Sequence, residues 1–232
     1  MVYPSKLSRE SVVGAALSLI REQGADALGM RAVALRLTVR PASLYKHVID
    51  LAGLQALLAE HAAAELLAAI DGAIARAPRS AAVESQKMPM LFMANEYLRF
   101  AREQPALYAM LTTQGGLLTS ATPTSVTTAA IANAIAHTIP QTARAALSKR
   151  LMQVVGELTG ATDDAEAAVA LWAFLHGFIT LERAGMFGAS SPKGGFARGV
   201  RAMAAGLRRP ASGGHPAIAE PEPSRTADGA TG

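Results

Sequence analysis

The sequence contains no cysteine, so neither a disulfide nor a thiolate metal site can form, and the chain suits a reducing cytosol without requiring one. Aromatic residues are scarce at 5%, with a single tryptophan, although 50% of the chain is hydrophobic. Alanine and leucine therefore supply most of the apolar surface, and both are strong helix formers. The alternating, β-branched pattern of half-buried strands is rare, so an all-α fold is expected. Residues 1–10 are too polar for a signal peptide. The uncharged stretch 104–143 is broken by Pro123, Pro140 and many Thr and Ser, and the apolar run 167–181 is short and carries His176. Neither suits a bilayer, and a soluble, cytoplasmic protein is expected.

Catalytic signatures are also missing. There is no His-Glu-x-x-His, no phosphate-cradling glycine loop and no cysteine nucleophile, so no enzyme, cofactor or metal is expected. His61 and Glu65 share a helix face at i and i+4, but two ligands are too few to hold a metal.

What is present is organised helix by helix. The 232 residues suffice for one large or two small domains. A first helix begins with Ser8 as N-cap, runs through Val12, Val13, Ala16, Leu17 and Ile20, and stops at Gly24. A short second helix follows from Met30 to Leu37. After the connection Thr38-Val39-Arg40, Pro41 opens a third helix, where its missing N–H costs nothing, and Leu44 and Val48 face inward. A long helix is expected over 52–77, a loop over 78–86, and further helices near 89–102, 105–111, 124–137, 141–158, 165–186 and 196–208. Residues 210–232, rich in Pro, Gly, Ala and Glu, are expected to be a disordered tail. The net charge of +4 is modest, but residues 1–50 hold seven basic side chains against four acidic ones. That balance is compatible with phosphate contacts and equally with a solvated surface.

Three short helices with a tight turn between the second and third form a helix-turn-helix pattern, common to many small helical hairpins. The residues are more specific than the pattern. Residues 30–48, and above all Val39-Arg40-Pro41-Ala42-Ser43-Leu44-Tyr45-Lys46-His47-Val48, resemble the DNA-binding domain of the TetR repressor family. Trp172-Ala173-Phe174-Leu175-His176-Gly177-Phe178 resembles the Trp-x-x-x-His-Gly signature of one class of its C-terminal domains, and Pro105-Ala106-Leu107-Tyr108 a short helix of such domains.

The resemblance implies a DNA-binding domain over 1–50 and a helical ligand-binding and dimerisation domain over 51–209. It further implies a ligand-responsive regulator, expected to repress, that binds a pseudo-palindromic operator in double-stranded DNA. The alternative is a helical interaction module without sequence-specific DNA binding. Arg40 and Ser43 are placed to reach base edges, and Tyr45, Lys46 and His47 to reach phosphates or the groove wall. Against these roles stand a solvated Arg40, a half-buried Tyr45 and a His47 packed on the first helix. Homodimerisation is expected through the helices near 165–186 and 196–208, unless the first of these is buried within one protomer. A small apolar effector is expected among Phe92, Met93, Tyr97, Met110, Gln114, Trp172 and His176, each of which core packing would also explain.

Three departures from the family pattern bear on affinity. Thr38 stands where glycine is usual, Gly29 where a capping Thr or Ser is common, and Leu51 where a phosphate-binding lysine often lies.

Overall fold

A computed structural model describes residues 7–76, 88–113, 142–162, 164–188 and 194–208, to which all structural statements refer. The loop expected over 78–86, the helix over 124–137, Gln114 and the tail from 210 lie outside the described residues. Those described form helices and turns and no strand.

Helix α1 (Arg9–Gln23) opens with a reciprocal cap: the Ser11 N–H donates to the Ser8 hydroxyl at 3.2 Å, and the Ser8 N–H to the Ser11 hydroxyl at 2.9 Å. Each bond satisfies a backbone donor that the helix itself leaves free. Gly24, at φ +87°, ends α1 as expected and leads through a 3₁₀ turn, Ala25–Ala27, to α2 (Met30–Arg36). Helix α3 (Pro41–Leu44) is a single turn rather than the expected run to Val48. Beyond it the chain loosens into turns, with the His47 and Val48 N–H groups both donating to the Leu44 carbonyl. The backbone must reach extended geometry by Asp50 (φ −159°), whose carboxylate accepts from the Gly53 N–H at 2.7 Å and caps the next helix. Val12, Ala16, Ile20, Val33, Ala34, Leu44 and Val48 are all buried and join these three helices to the main core.

Helix α4 (Leu51–Ala75) is the spine of the molecule. Leu54, Leu58, Ala62, Leu66 and Ile70 recur every four residues and are fully buried. Around them pack α5 (Met88–Glu103), α6 (Pro105–Thr113) and α7 (Thr142–Thr159). Two further helices, α8 (Ala165–Arg183) and α9 (Gly195–Gly206), pack on each other and on α5, and α8 also packs on α7. Helix α1 touches both α4 and α6, so these two connect the N-terminal unit to the rest.

Two helix-interior glycines allow close approaches. A Cβ on Gly156 would stand 2.7 Å from the Ala161 carbonyl oxygen, and one on Gly199 would stand 2.2 Å from the ring of Phe174. By length and composition α8 is the one described helix that meets the requirements of a membrane span. Its stripe of Ala168, Leu171, Leu175 and Ile179 is nevertheless buried against protein, as a core helix's would be.

Candidate nucleic-acid interface and ligand cavity

The turn between α2 and α3 sets the geometry of the N-terminal surface. The Thr38 N–H donates to the Leu35 carbonyl and the Val39 N–H to the Ala34 carbonyl, both at 3.0 Å. These paired bonds are a Schellman stop, whose central residue must be left-handed. Thr38 accordingly has φ +56°, unusual for any side chain and more so for a β-branched one. The glycine-type turn is thus retained despite the threonine, at a cost of about 1–2 kcal/mol.

Arg40 is the extended N-cap of α3, Pro41 its first residue, and Leu44, fully buried, pins it inward. With Leu44 fixed, the flanking residues face outward: Arg40 and Lys46 are exposed, Tyr45 is 54% exposed, and Ser43 and His47 are half-buried. The Arg9 Nε donates to the His47 carbonyl at 3.3 Å, tying this segment to α1. Arg36 pairs with both carboxylate oxygens of Glu22, which anchors α2 on α1 and holds the Glu22 carboxyl below its usual range. Arg9, Arg21 and Arg36 are therefore engaged with protein groups. Arg31, Arg40 and Lys46 are exposed and form no ion pair among the described residues, so their charge faces solvent. Gly29 caps α2 without a side-chain hydrogen bond, and Leu51 packs half-buried against the core. The reading from sequence missed Leu35 and Ile49, apolar residues 81% and 53% exposed on this same unit.

A second feature lies where α5, α7 and α8 meet. Met93 and Tyr97 of α5, Leu151 and Val155 of α7, and Ala168, Leu171, Trp172 and Leu175 of α8 surround a cavity. It offers ≈ 10 Å³ to the centre of a water-sized sphere, about enough for one water. Met93, Tyr97 and Trp172 are thus on the wall. Phe92, one residue from Met93 and therefore about 100° around the helix, is not on it. Met110, buried in α6, is not on it either, and Gln114 lies outside the described residues.

His176 stands behind the wall. Its ring stacks on the Trp172 indole with centroids 5.1 Å apart and planes 8° from parallel, and its Nδ1 lies 2.6 Å from the Tyr108 hydroxyl. Burial lowers the His176 pKa, favouring the neutral ring, and a single hydrogen is shared between Nδ1 and the Tyr108 hydroxyl. Tyr108 in turn meets Tyr97 edge to face at 5.7 Å. Burial, first of all, pushes the Tyr97 hydroxyl well above its ordinary pKa. Tyr97 Oη lies near both the Tyr108 hydroxyl and Trp172 Nε1, although Tyr97 Oη and Trp172 Nε1 fall short of full hydrogen-bonding geometry.

A polar clasp joins the two features. Arg21 of α1 reaches Glu65 of α4 at 2.8 Å and Gln104, just before α6, at 3.2 Å, while the Gln104 amide donates to Glu65 at 2.9 Å. His61 completes it at 2.9 Å from Glu65, so the pair weighed as a metal half-site serves this junction instead. No group of three or more metal-ligating side chains occurs among the described residues. From the other side, Arg102 pairs with Glu182 of α8, and Arg183 donates to the Pro105 carbonyl at 3.3 Å. The corner 102–105 is thereby gripped by α8 on one side and by α1 and α4 on the other. The bond from Tyr108 to His176 and the links of Gln104 to Arg21 and Glu65 escaped the reading from sequence, because the partners lie 39 to 83 residues apart in the chain.

An all-helical protein with this turn and this outward-facing third helix has the architecture of a helix-turn-helix regulator. Residues 12–47 match the family described as "Bacterial regulatory proteins, tetR family", and residues 90–207 match "Tetracyclin repressor-like, C-terminal domain". The chain belongs to the TetR family of transcriptional regulators. It is 31% identical over 212 residues to the "Uncharacterized HTH-type transcriptional regulator Rv0681" of Mycobacterium tuberculosis, covering 89% of this chain and 84% of that protein. Among solved structures, one of a protein of unknown function from Rhodococcus sp. RHA1 is 22% identical with a TM-score of 0.63, over 90% of this chain and 100% of that one. A single-residue variant of TetR from Acinetobacter baumannii, in complex with minocycline, is 21% identical with a TM-score of 0.56, over 87% and 97% of the two chains. At these identities the two structures bear on the fold.

Proposed function

We propose that this chain is a cytoplasmic, ligand-released repressor that binds a pseudo-palindromic DNA operator as a homodimer. The observation that carries the DNA reading is the outward display of Arg40, Tyr45 and Lys46 around a third helix pinned by buried Leu44. In this proposal α3 enters the major groove, Arg40 and Ser43 meet base edges, and Tyr45, Lys46 and His47 hold the phosphate backbone. Residues 1–50 form the DNA-binding domain and 51–209 the ligand and dimer domain, of the class marked by Trp172, His176 and Gly177. The stacking of His176 on Trp172 gives that signature a structural purpose.

Dimerisation is supported by the free face of α8. Val169 is 52% and Leu181 45% exposed, and exposed Ala173 lies between them on the same helix face. On α9, Ala202, Ala205 and Gly206 are exposed and small enough for close helix approach. Two α8–α9 pairs meeting across a two-fold axis bury these surfaces and set two recognition helices at a fixed spacing.

The effector acts through the cavity wall. Displacement of α8 on ligand binding moves the corner 102–105, and the Arg21 clasp transmits that movement to α1. The ligand must bind the released spacing better than the DNA-bound one, or it shifts nothing.

The test is to incubate the purified chain with fragmented DNA from its own source and sequence what is retained. A pseudo-palindrome enriched by the wild type, and not by a Tyr45→Ala/Lys46→Ala variant, supports the proposal. Retention without sequence preference rejects it in favour of a helical interaction module.

A further inference from the structure

Leu44 is fully buried and fixes the phase of α3. Successive helical residues are about 100° apart, so Ala42 stands about 200° round the helix from Leu44, on the side away from the core. Of the four residues of α3, Pro41 and Ala42 are exposed, whereas Ser43 is half-buried and Leu44 buried. The foremost side chain of this helix is therefore a single methyl group, which the reading from sequence passed over for its polar neighbours. Exposed Arg40, Tyr45 and Lys46 flank it. Neither the alanine methyl nor the proline ring can donate or accept a hydrogen bond, and Pro41 has no backbone N–H. A base edge pressed against them must also be apolar, or its polar atoms lose water with nothing to replace it. In the major groove thymine alone of the four bases presents such a group, its C5-methyl.

We propose that Ala42 is a specificity-determining residue, whose methyl packs on the C5-methyl of one thymine in each half of the operator. This rests on the DNA-reading proposal above and specifies part of the sequence that is read. Arg40, Tyr45 and Lys46 supply polar contacts at the flanks, while Ala42 excludes a polar base edge from the centre. A one-carbon side chain touches a base only where the helix backbone itself comes close, so α3 must lie deep in the groove. A longer side chain at this position holds the helix away and weakens the flanking contacts with it.

The test starts from the operator that the full chain selects. Each thymine is replaced in turn by deoxyuridine, which keeps the pairing and every hydrogen-bonding atom but lacks the methyl. At one thymine in each half, the replacement is expected to weaken binding by about fourfold, the worth of one buried methyl. Ala42→Gly removes the partner methyl, and is expected to bind the thymine and deoxyuridine duplexes equally at those positions. Ala42→Leu is expected to lose operator affinity by about tenfold or more without lowering Tm, since the residue is exposed. No methyl-sensitive thymine, sensitivity that persists unchanged in Ala42→Gly, or undiminished affinity of Ala42→Leu overturns the assignment. Each of these results leaves the selected operator standing, and with it the DNA-reading proposal. Failure to select any sequence overturns that proposal and this assignment together.

Discussion

Thr38 offers a stability test with few competing contributions. Its φ of +56° places a β-branched residue in the left-handed region, which costs a non-glycine residue about 1–2 kcal/mol. The side chain is exposed and makes no hydrogen bond beyond its own backbone's, so its removal sacrifices no packing. Thr38→Gly relieves the strain, but the unfolded chain gains freedom worth about 0.5–1 kcal/mol in the opposite direction. The net expectation is stabilisation by about 0.5–1 kcal/mol, or about 1–4 °C in Tm for a chain of this size. Thr38→Ala is the control, because it removes the side chain while keeping the Cβ that clashes, and it should change Tm by less than about 1 °C. Thermal unfolding of all three proteins by circular dichroism decides the matter. A lower Tm for Thr38→Gly, or an equal rise for both variants, would refute the assignment of strain to this position.

Three other perturbations probe the packing, the junction and the buried histidine. Gly156→Ala gains helix propensity but drives a Cβ to 2.7 Å from the Ala161 carbonyl oxygen, so denaturant unfolding should show a net loss of about 1–2 kcal/mol. Arg21→Ala removes an exposed ion pair and should change stability by less than about 1 kcal/mol. It should nevertheless abolish the change in Trp172 fluorescence that operator DNA induces in the wild type, since coupling between the sites is reciprocal. His176 is held below its unfolded pKa of 6.5 by burial, so its neutral form contributes stability that is present above that value and lost as pH falls through the lower folded one. Unfolding at about pH 7.5 and about pH 5.5 should therefore show a larger acid loss for the wild type than for His176→Gln.

Much of the fold was legible because its determinants are local. Ser8, Gly24, Pro41 and the buried pair Leu44 and Val48 act within a few residues of where they stand, and the structure has each in its expected place. The length of α3 was not legible, because it is set by the need to return to an extended Asp50 before α4 begins. The N-terminal surface was readable as a contiguous segment, whereas the cavity is assembled from three helices. Met93, Tyr97 and Trp172 were within reach of the sequence, and so was the rest of the α8 stripe, since Ala168, Leu171, Trp172 and Leu175 share one helical face. Helix phase also separates Phe92 from that wall. The bond from Tyr108 to His176 and the Arg21–Glu65–Gln104 clasp depend on tertiary approach, which no helical period encodes.

Recognition of DNA by residues 40–47 is measured by affinity. The selected operator and a shuffled duplex of equal length are titrated with the wild type and with Tyr45→Ala/Lys46→Ala over a range of salt concentrations. The wild type is expected to prefer the operator by about 10³ or more. The variant is expected to bind more weakly, with a salt slope smaller by about two, one phosphate-bound charge, that of Lys46, being lost per protomer. Equal affinity of the wild type for both duplexes, or a variant indistinguishable from it at every salt concentration, would contradict DNA reading by this segment.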